Sequence, residues 1–280
     1  MTAYHRPTRL EDALAIRAGA DVAVLAGGTD IFPARTARAA WGDPTHKDVL
    51  DISALPGLRE ISETDEGWRI GCLVTWSTLI GAALPPLFDG LKAAAREVGG
   101  RQVQNRATLV GNMVTASPAG DGIPILLALD ASVEIISRRG ARRVAVAEFL
   151  TGYRTTALAA DELVLALHVP RLHGGQGGFR KLGARHYLVI SIAMTAGVIA
   201  TDSAGRITSA RIALGACSAV AQRLPALEAA LIGVARAQAT QVVQPHHLQS
   251  ISPIDDIRAS AAYRRDAALV LLRDLLEARA

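Results

Sequence analysis

A chain of 280 residues, half apolar and one fifth charged, can bury a sizeable core and, by length, form about two domains. Thirty basic against 26 acidic residues leave a net charge of only +4, and aromatics make up 4 %, which argues against a stacking platform for nucleic acid. Cys72 and Cys217 lie far apart in no metal spacing, which argues against a disulfide framework, a zinc site or an iron–sulfur cluster within this chain. The N-terminus shows no charged-then-apolar signal, and the longest apolar stretch, Tyr187 to Ala200, is too short and interrupted to span a bilayer. A cytoplasmic protein is expected.

Thr8 and Glu11 have the spacing of a capping box, predicting a short helix with Leu10, Ala13 and Leu14 on one face. Val22 to Leu25 reads as a strand and runs directly into Ala26-Gly27-Gly28-Thr29-Asp30. Such a run is either a tight turn or a row of outward amides suited to a diphosphate. It is not a G-x-G-x-x-G fingerprint, which occurs nowhere in the chain, and there is no P-loop. Short strands are predicted at Val49 to Ile52 and Trp68 to Leu73, with Thr75 or Ser77 as a cap for the segment that follows. Leu91, Ala94, Ala95 and Val98 form a helical stripe stopped by Gly99-Gly100.

Thr108 to Asp121, TLVGNMVTASPAGD, sets Gly, Asn, Thr, Ser and Asp densely among apolar residues. Gly111 permits close backbone approach, and Asn112, Thr115, Ser117 and Asp121 add short polar arms. The stretch reads equally as a phosphate cradle or as a surface turn. Beyond it, Ser132 to Ile136 and Arg143 to Val146 form a hairpin around Gly140, with Arg138, Arg139, Arg142 and Arg143 at a solvated tip. Glu148 to Thr156 is expected as a loop and Leu163 to Val169 as a strand. His173 to Gly178 resembles a flexible linker, placing a boundary between a first domain, 1–173, and a second, 174–280. The second is expected to be α+β, with strands at 188–200 and 207–214, a helix near Ala226 to Ile232 and a long one from Arg258 to Arg279.

Together AGGTD at 26–30, VLDIS at 49–53, TLVGN at 108–112, ASPAGD at 116–121, GYRTT at 152–156, DEL at 161–163, KLGAR at 181–185 and DIRASAAYRR at 256–265 resemble the FAD-binding medium subunit of the molybdenum hydroxylases, the xanthine dehydrogenase and carbon monoxide dehydrogenase group. Each motif is weak; their order and spacing are specific, and with Tyr4 to Pro7 they run nearly end to end. The resemblance implies an α+β fold: an FAD domain of two α+β subdomains, of the PCMH type, followed by a smaller α+β C-terminal domain. It implies a first diphosphate loop at Val24, Leu25, Ala26, Gly27, Gly28, Thr29, Asp30 and Ile31, and a second at Thr108, Gly111 and Asn112. Ser117 and Asp121 would hold the ribityl or phosphate end, Val98 and Val164 would make apolar contacts, and Lys181 would reach the flavin. From the bare sequence, without the resemblance, Lys181 reads as an exposed solubility residue ahead of a flavin contact. Where many relatives have Gly-Gly-Asn, this chain has Val110-Gly111-Asn112, and the loop is expected to survive.

The resemblance further implies noncovalent FAD, since the first loop has no His, and electrons arriving from the 2Fe–2S clusters of a small partner subunit. Those clusters would be filled by a large molybdopterin subunit, in a dimer of heterotrimers. His186, Tyr187 and Leu188 stand where NAD-reducing relatives carry acidic residues, which puts NAD as acceptor in doubt. No catalytic residue or metal ligand is assigned to the chain: H-E-x-x-H and G-x-S-x-G are absent, and His246-His247 reads as a surface loop. A free-standing flavin oxidase and a non-enzymatic assembly module are the alternatives. The first lacks an acid–base pair in the Gly-rich stretches, and the intact loop residues oppose the second.

Overall fold

The computed structural model describes residues 3–43, 45–172 and 174–277. The chain opens with β1 (Tyr4–His5), α1 (Leu10–Gly19), β2 (Val22–Leu25), α2 (Ile31–Ala40) and β3 (Asp48–Asp51), whose strands pair in parallel in the order β1-β3-β2. The capping box does not form. Arg9 is the N-cap and lends no side chain, and Glu11 is drawn instead to the Arg9 guanidinium at 2.6 Å. The apolar face is as expected, with Ala13 and Leu14 buried.

An antiparallel sheet follows, assembled from β4 (Ile61–Thr64), β5 (Gly67–Gly71), β6 (Ser132–Ser137), β7 (Gly140–Ala145) and, after the short hairpin β8 (Leu150–Gly152) and β9 (Thr155–Thr156), β10 (Leu163–Pro170). The order is β4-β5-β10-β6-β7. The β6–β7 hairpin turns at Gly140 as read from sequence, but three of its four arginines are paired, Arg139 with Asp161, Arg142 with Glu162 and Arg143 with Glu66, while Arg138 is exposed as expected. The segment expected to be a plain loop, 148–156, holds the end of a helical turn and the β8–β9 hairpin.

Between β5 and β6 lie α3 (Trp76–Gly81), α4 (Asp89–Glu97), α5 (Arg101–Gln104), α6 (Leu109–Val114) and α7 (Gly122–Ala128). Thr75 caps α3 by accepting the Thr78 amide, and Gly99 ends the α4 segment with φ of +54°. After β7 comes α8 (Val146–Phe149). All seven residues of α7 are buried, packed between α4 and α6 on one side and the second sheet on the other.

That second sheet is antiparallel, in the order β11 (Gly175–Leu182), β12 (Ala193–Thr201), β13 (Ile207–Gly215) and β14 (Gln222–Arg223). It is covered by α9 (Pro225–Leu231), α10 (Ala239–Val242) and α11 (Ala261–Glu277), around a core that includes Leu227, Leu231, Leu272 and Leu276. The glycine run read as a linker is therefore mostly strand. A Cβ on Gly177 would lie 2.4 Å from the Leu87 carbonyl oxygen, and one on Gly90 would lie 2.7 Å from the Gly178 amide. Those glycines let β11 press backbone-to-backbone on α4 rather than giving slack. His173 and the expected end of the last helix at Arg279 lie outside the described residues. Strand β12 starts at Ala193 rather than 188, and α11 at Ala261 rather than Arg258, because Asp256 holds the preceding residues in a turn by accepting the Arg258 and Ala259 amides.

Candidate functional site

Strand β2 delivers Val24 and Leu25 to the sheet edge, and the chain turns through Ala26 to Asp30 into α2. Gly28 has φ of +78°, with the Phe32 ring lying against it. Gly27 is pressed on the 106–107 backbone: a Cβ there would lie 2.2 Å from the Arg106 carbonyl oxygen. The first glycine loop thus rests on the chain that leads into the second. The two are also joined by side chains, the Thr115 hydroxyl lying 2.8 Å from the Asp30 carboxylate. Among the described residues, the amides of Gly27, Gly28, Thr29 and Asp30 donate to no acceptor. Thr29 and Asp30 are exposed and Ile31 is half-buried.

The second loop is a helix start rather than an open loop. Thr108 caps α6, its hydroxyl accepting the Gly111 amide at 3.0 Å, so that amide is already occupied. The side of Gly111 that a Cβ would fill is otherwise open, with only the Thr108 hydroxyl within reach, at 2.9 Å. Val110 turns its side chain into the core, so replacing a glycine there leaves the loop intact. Asn112 accepts the Gly122 amide through Oδ1 and ties α6 to α7, leaving its Nδ2 group without an acceptor among the described residues. Ser117 holds its own turn by accepting the Ala119 amide, next to Ala116 at φ of +48°.

Asp121, which precedes α7, does not face open space. Its carboxylate takes Lys181 Nζ at 2.8 Å and the Ser191 hydroxyl at 2.6 Å, and all three side chains are largely shielded from solvent. Burial pushes the Asp121 pKa up, against the pull of the Lys181 charge and of both hydrogen bonds. Lys181 is therefore no solubility residue: it reaches from β11 across to the first half of the chain. Its Nζ also lies 3.5 Å from the Glu97 carbonyl, which places Val98, the half-buried residue ending α4, beside this pair. Val164 is buried on β10 at a bulge, in a strand that packs against α6. Sequence reading names Thr115 as a polar arm of its stretch but misses its tie to Asp30, 85 positions away, and it misses Ser191, which completes the Asp121 cluster. Both roles are set by tertiary contacts.

The free amide row and the open face over Gly111 fit a diphosphate anion, and the Asn112–Gly122 bond ties that face to the buried Asp121–Lys181 pair. Residues 1–172 match the family described as the FAD binding domain in molybdopterin dehydrogenase, and residues 179–278 match the CO dehydrogenase flavoprotein C-terminal domain. The chain belongs to the FAD-binding medium subunits of the molybdenum hydroxylases.

Among similar medium subunits is the nicotine 6-hydroxylase medium subunit of Paenarthrobacter nicotinovorans, 31 % identical over 96 % of this chain and 94 % of that protein. The carbon monoxide dehydrogenase medium chain of Afipia carboxidovorans is also 31 % identical, over 98 % and 95 %. In structure, this medium subunit is similar to a chain of carbon monoxide dehydrogenase from Hydrogenophaga pseudoflava lacking the Mo-pyranopterin moiety, with a TM-score of 0.87, 28 % identity and coverage of 99 % and 96 %. The expected fold, an FAD-binding unit followed by an α+β C-terminal unit, is the one observed. Like those relatives, it is an oxidoreductase subunit. Among the described residues, no helix of this medium subunit is long and apolar enough to cross a membrane.

Proposed function

We propose that this subunit seats FAD noncovalently, with its diphosphate on the amides of Gly27 to Asp30 and against the start of α6, and relays electrons for a partner subunit. The observation that carries this reading is the contact of the two loops, through Gly27 on Arg106 and Asp30 on Thr115, beside unspent amides and an open face at Gly111. On this reading Val24 to Ile31, Thr108, Gly111 and Asn112 hold the cofactor, and Val98 and Val164 give apolar contact. Ser117, Asp121 and Lys181 form its polar border.

The flavin supplies two-electron storage and release; the protein supplies placement and electrostatics. The amides of 27–30 compensate phosphate charge without a metal, and Thr115 holds the Asp30 carboxylate off the phosphates. Lys181, locked to Asp121, keeps a cation at a fixed point where little water screens it. The partners are a small 2Fe–2S subunit that delivers electrons and a large molybdopterin subunit that oxidises the substrate, paired as a dimer of heterotrimers in the cytoplasm. The chain divides at residues 173 and 174. Equal identity to subunits named for nicotine and for carbon monoxide complexes supports the view that substrate choice lies outside this chain.

The test is to purify the tagged chain, with whatever partners it retains, from its host and assay acid-released FAD. One FAD per chain is expected, and none would refute the reading. Gly111→Val fills the open face and crowds the Thr108 hydroxyl that caps α6. It should abolish FAD content at a stability cost of about 1 kcal/mol, the scale of one weakened cap, and undiminished FAD would mean that the diphosphate lies elsewhere.

A further inference from the structure

Arg264 lies in the first turn of α11, within the DIRASAAYRR stretch, and is 3 % exposed. Its guanidinium meets three acceptors: Nη2 donates to the Asp256 carboxylate at 2.7 Å, and Nη1 donates to the carbonyls of Ile192 and Ala216. The Nε group, also buried, has no acceptor among the described residues, so the side chain is held here at a desolvation cost. The fold itself does not call for a charge at this point, since a buried ion pair can often be replaced by apolar groups at little loss. What a guanidinium does, and an apolar side chain cannot, is hold two separate carbonyls in one rigid fork.

Those two carbonyls stand at one end of the second sheet and lead back to the Asp121 cluster. Ile192 immediately precedes β12 and Ala216 immediately follows β13, at the end where Met194 and Gly215 pair. Ala216 has φ of +60°, an uncommon state for a residue with a Cβ, and its amide donates to the Pro118 carbonyl of the ASPAGD stretch. The Ile192 amide donates to the Leu182 carbonyl, next to Lys181, and the neighbouring Ser191 hydroxyl donates to Asp121 Oδ1. Lys181 takes Oδ2 of the same carboxylate. The carboxylate is thus gripped on both oxygens, and the Ser191 grip is anchored through Ile192 to Arg264. Release of Ser191 would leave Oδ1 buried without a donor, and the carboxylate would turn to recover one, taking Lys181 with it.

We propose that Arg264 is a positioning residue for the cofactor: by fixing Ile192 and Ala216 it holds Ser191 on Asp121, and so sets where the Lys181 charge stands and how strongly bound flavin attracts electrons. This rests on the reading that Lys181 borders FAD. The test measures FAD content, melting temperature and flavin midpoint potential in the FAD-loaded full-length chain. Lys181→Met should lower the midpoint, because a nearby cation favours the reduced, anionic flavin. Arg264→Lys keeps a charge for Asp256 but cannot fork to two carbonyls, and should lower the midpoint in the same direction by a smaller step. Arg264→Met/Asp256→Asn strands no charge and keeps an acceptor oxygen for the Arg258 and Ala259 amides, so it should fold, retain FAD and show the same shift. Adding Ser191→Ala to Arg264→Lys should shift the midpoint no further, because both changes break one path. A wild-type midpoint in both Arg264 variants, whatever their melting temperature, overturns the proposal and leaves Arg264 a purely structural residue. A full additional shift from Ser191→Ala overturns it too, as does loss of FAD or of the folded state in both variants. An unchanged midpoint in Lys181→Met, with FAD still bound, overturns the border reading itself, and the Arg264 assignment falls with it.

Discussion

Asp121 and Lys181 sit 60 positions apart and form an ion pair that water barely reaches. Removing one member of such a pair strands the other charge, so Lys181→Met alone should cost about 3–5 kcal/mol in denaturant unfolding. Adding Asp121→Asn to Lys181→Met should recover most of that loss, and a double variant no better than the single would mean that the pair does not act as a unit. Asp256 acts differently. It accepts the Arg258 and Ala259 amides and the buried Arg264 guanidinium, which hold its pKa down at about 2 from an ordinary 3.8. A depressed carboxylate stabilises the fold above its unfolded pKa and loses that contribution as pH falls through the folded one. Asp256→Asn should therefore melt lower than wild type at pH 7, and the gap should close between pH 4 and about 2. A gap independent of pH would contradict the assignment.

At the scale of elements, glycine is where sequence and structure part. Strand β2, the β6–β7 hairpin and β10 were legible because apolar residues alternate or run unbroken between turn formers. The run at 174–178 has the composition of a linker, yet its glycines are spent on close packing, and only the position of Leu87 and Gly90 across the gap reveals it. Gly177→Ala, with a carbonyl 2.4 Å from its new Cβ, should destabilise by about 1–3 kcal/mol. Gly19→Ala, at the end of α1 with nothing within 4 Å, should stay within about 0.5 kcal/mol of wild type. Equal midpoints for the two variants would refute the packing argument. The same limit applies to the site. The glycine loops could be read from residue types, whereas the Asp30–Thr115 tie and the burial of Lys181 depend on segments that meet only in three dimensions.

For the whole molecule, the two halves are not beads on a string. Helix α7 belongs to the first half in sequence yet packs on β12 and β13, and Asp130, just after it, pairs with Arg211 and Arg223 of the second sheet. Each half alone would expose an apolar helix face or sheet face. Chemical unfolding, followed by far-ultraviolet circular dichroism and by tryptophan fluorescence, should therefore show one coincident transition. All three tryptophans, Trp41, Trp68 and Trp76, report on the first half, so a fluorescence transition separate from the dichroism change would show that the halves melt independently.

Lys181 has a consequence for how the protein is made. The ribosome emits the glycine loops long before residue 181, and until β11 has folded onto α4 the Asp121 carboxylate has no cation beside it. If that pair borders the flavin as proposed, a nascent chain cannot present a finished cavity before residue 181 has been made and β11 has folded. A product truncated ahead of that strand would carry an incomplete cofactor site.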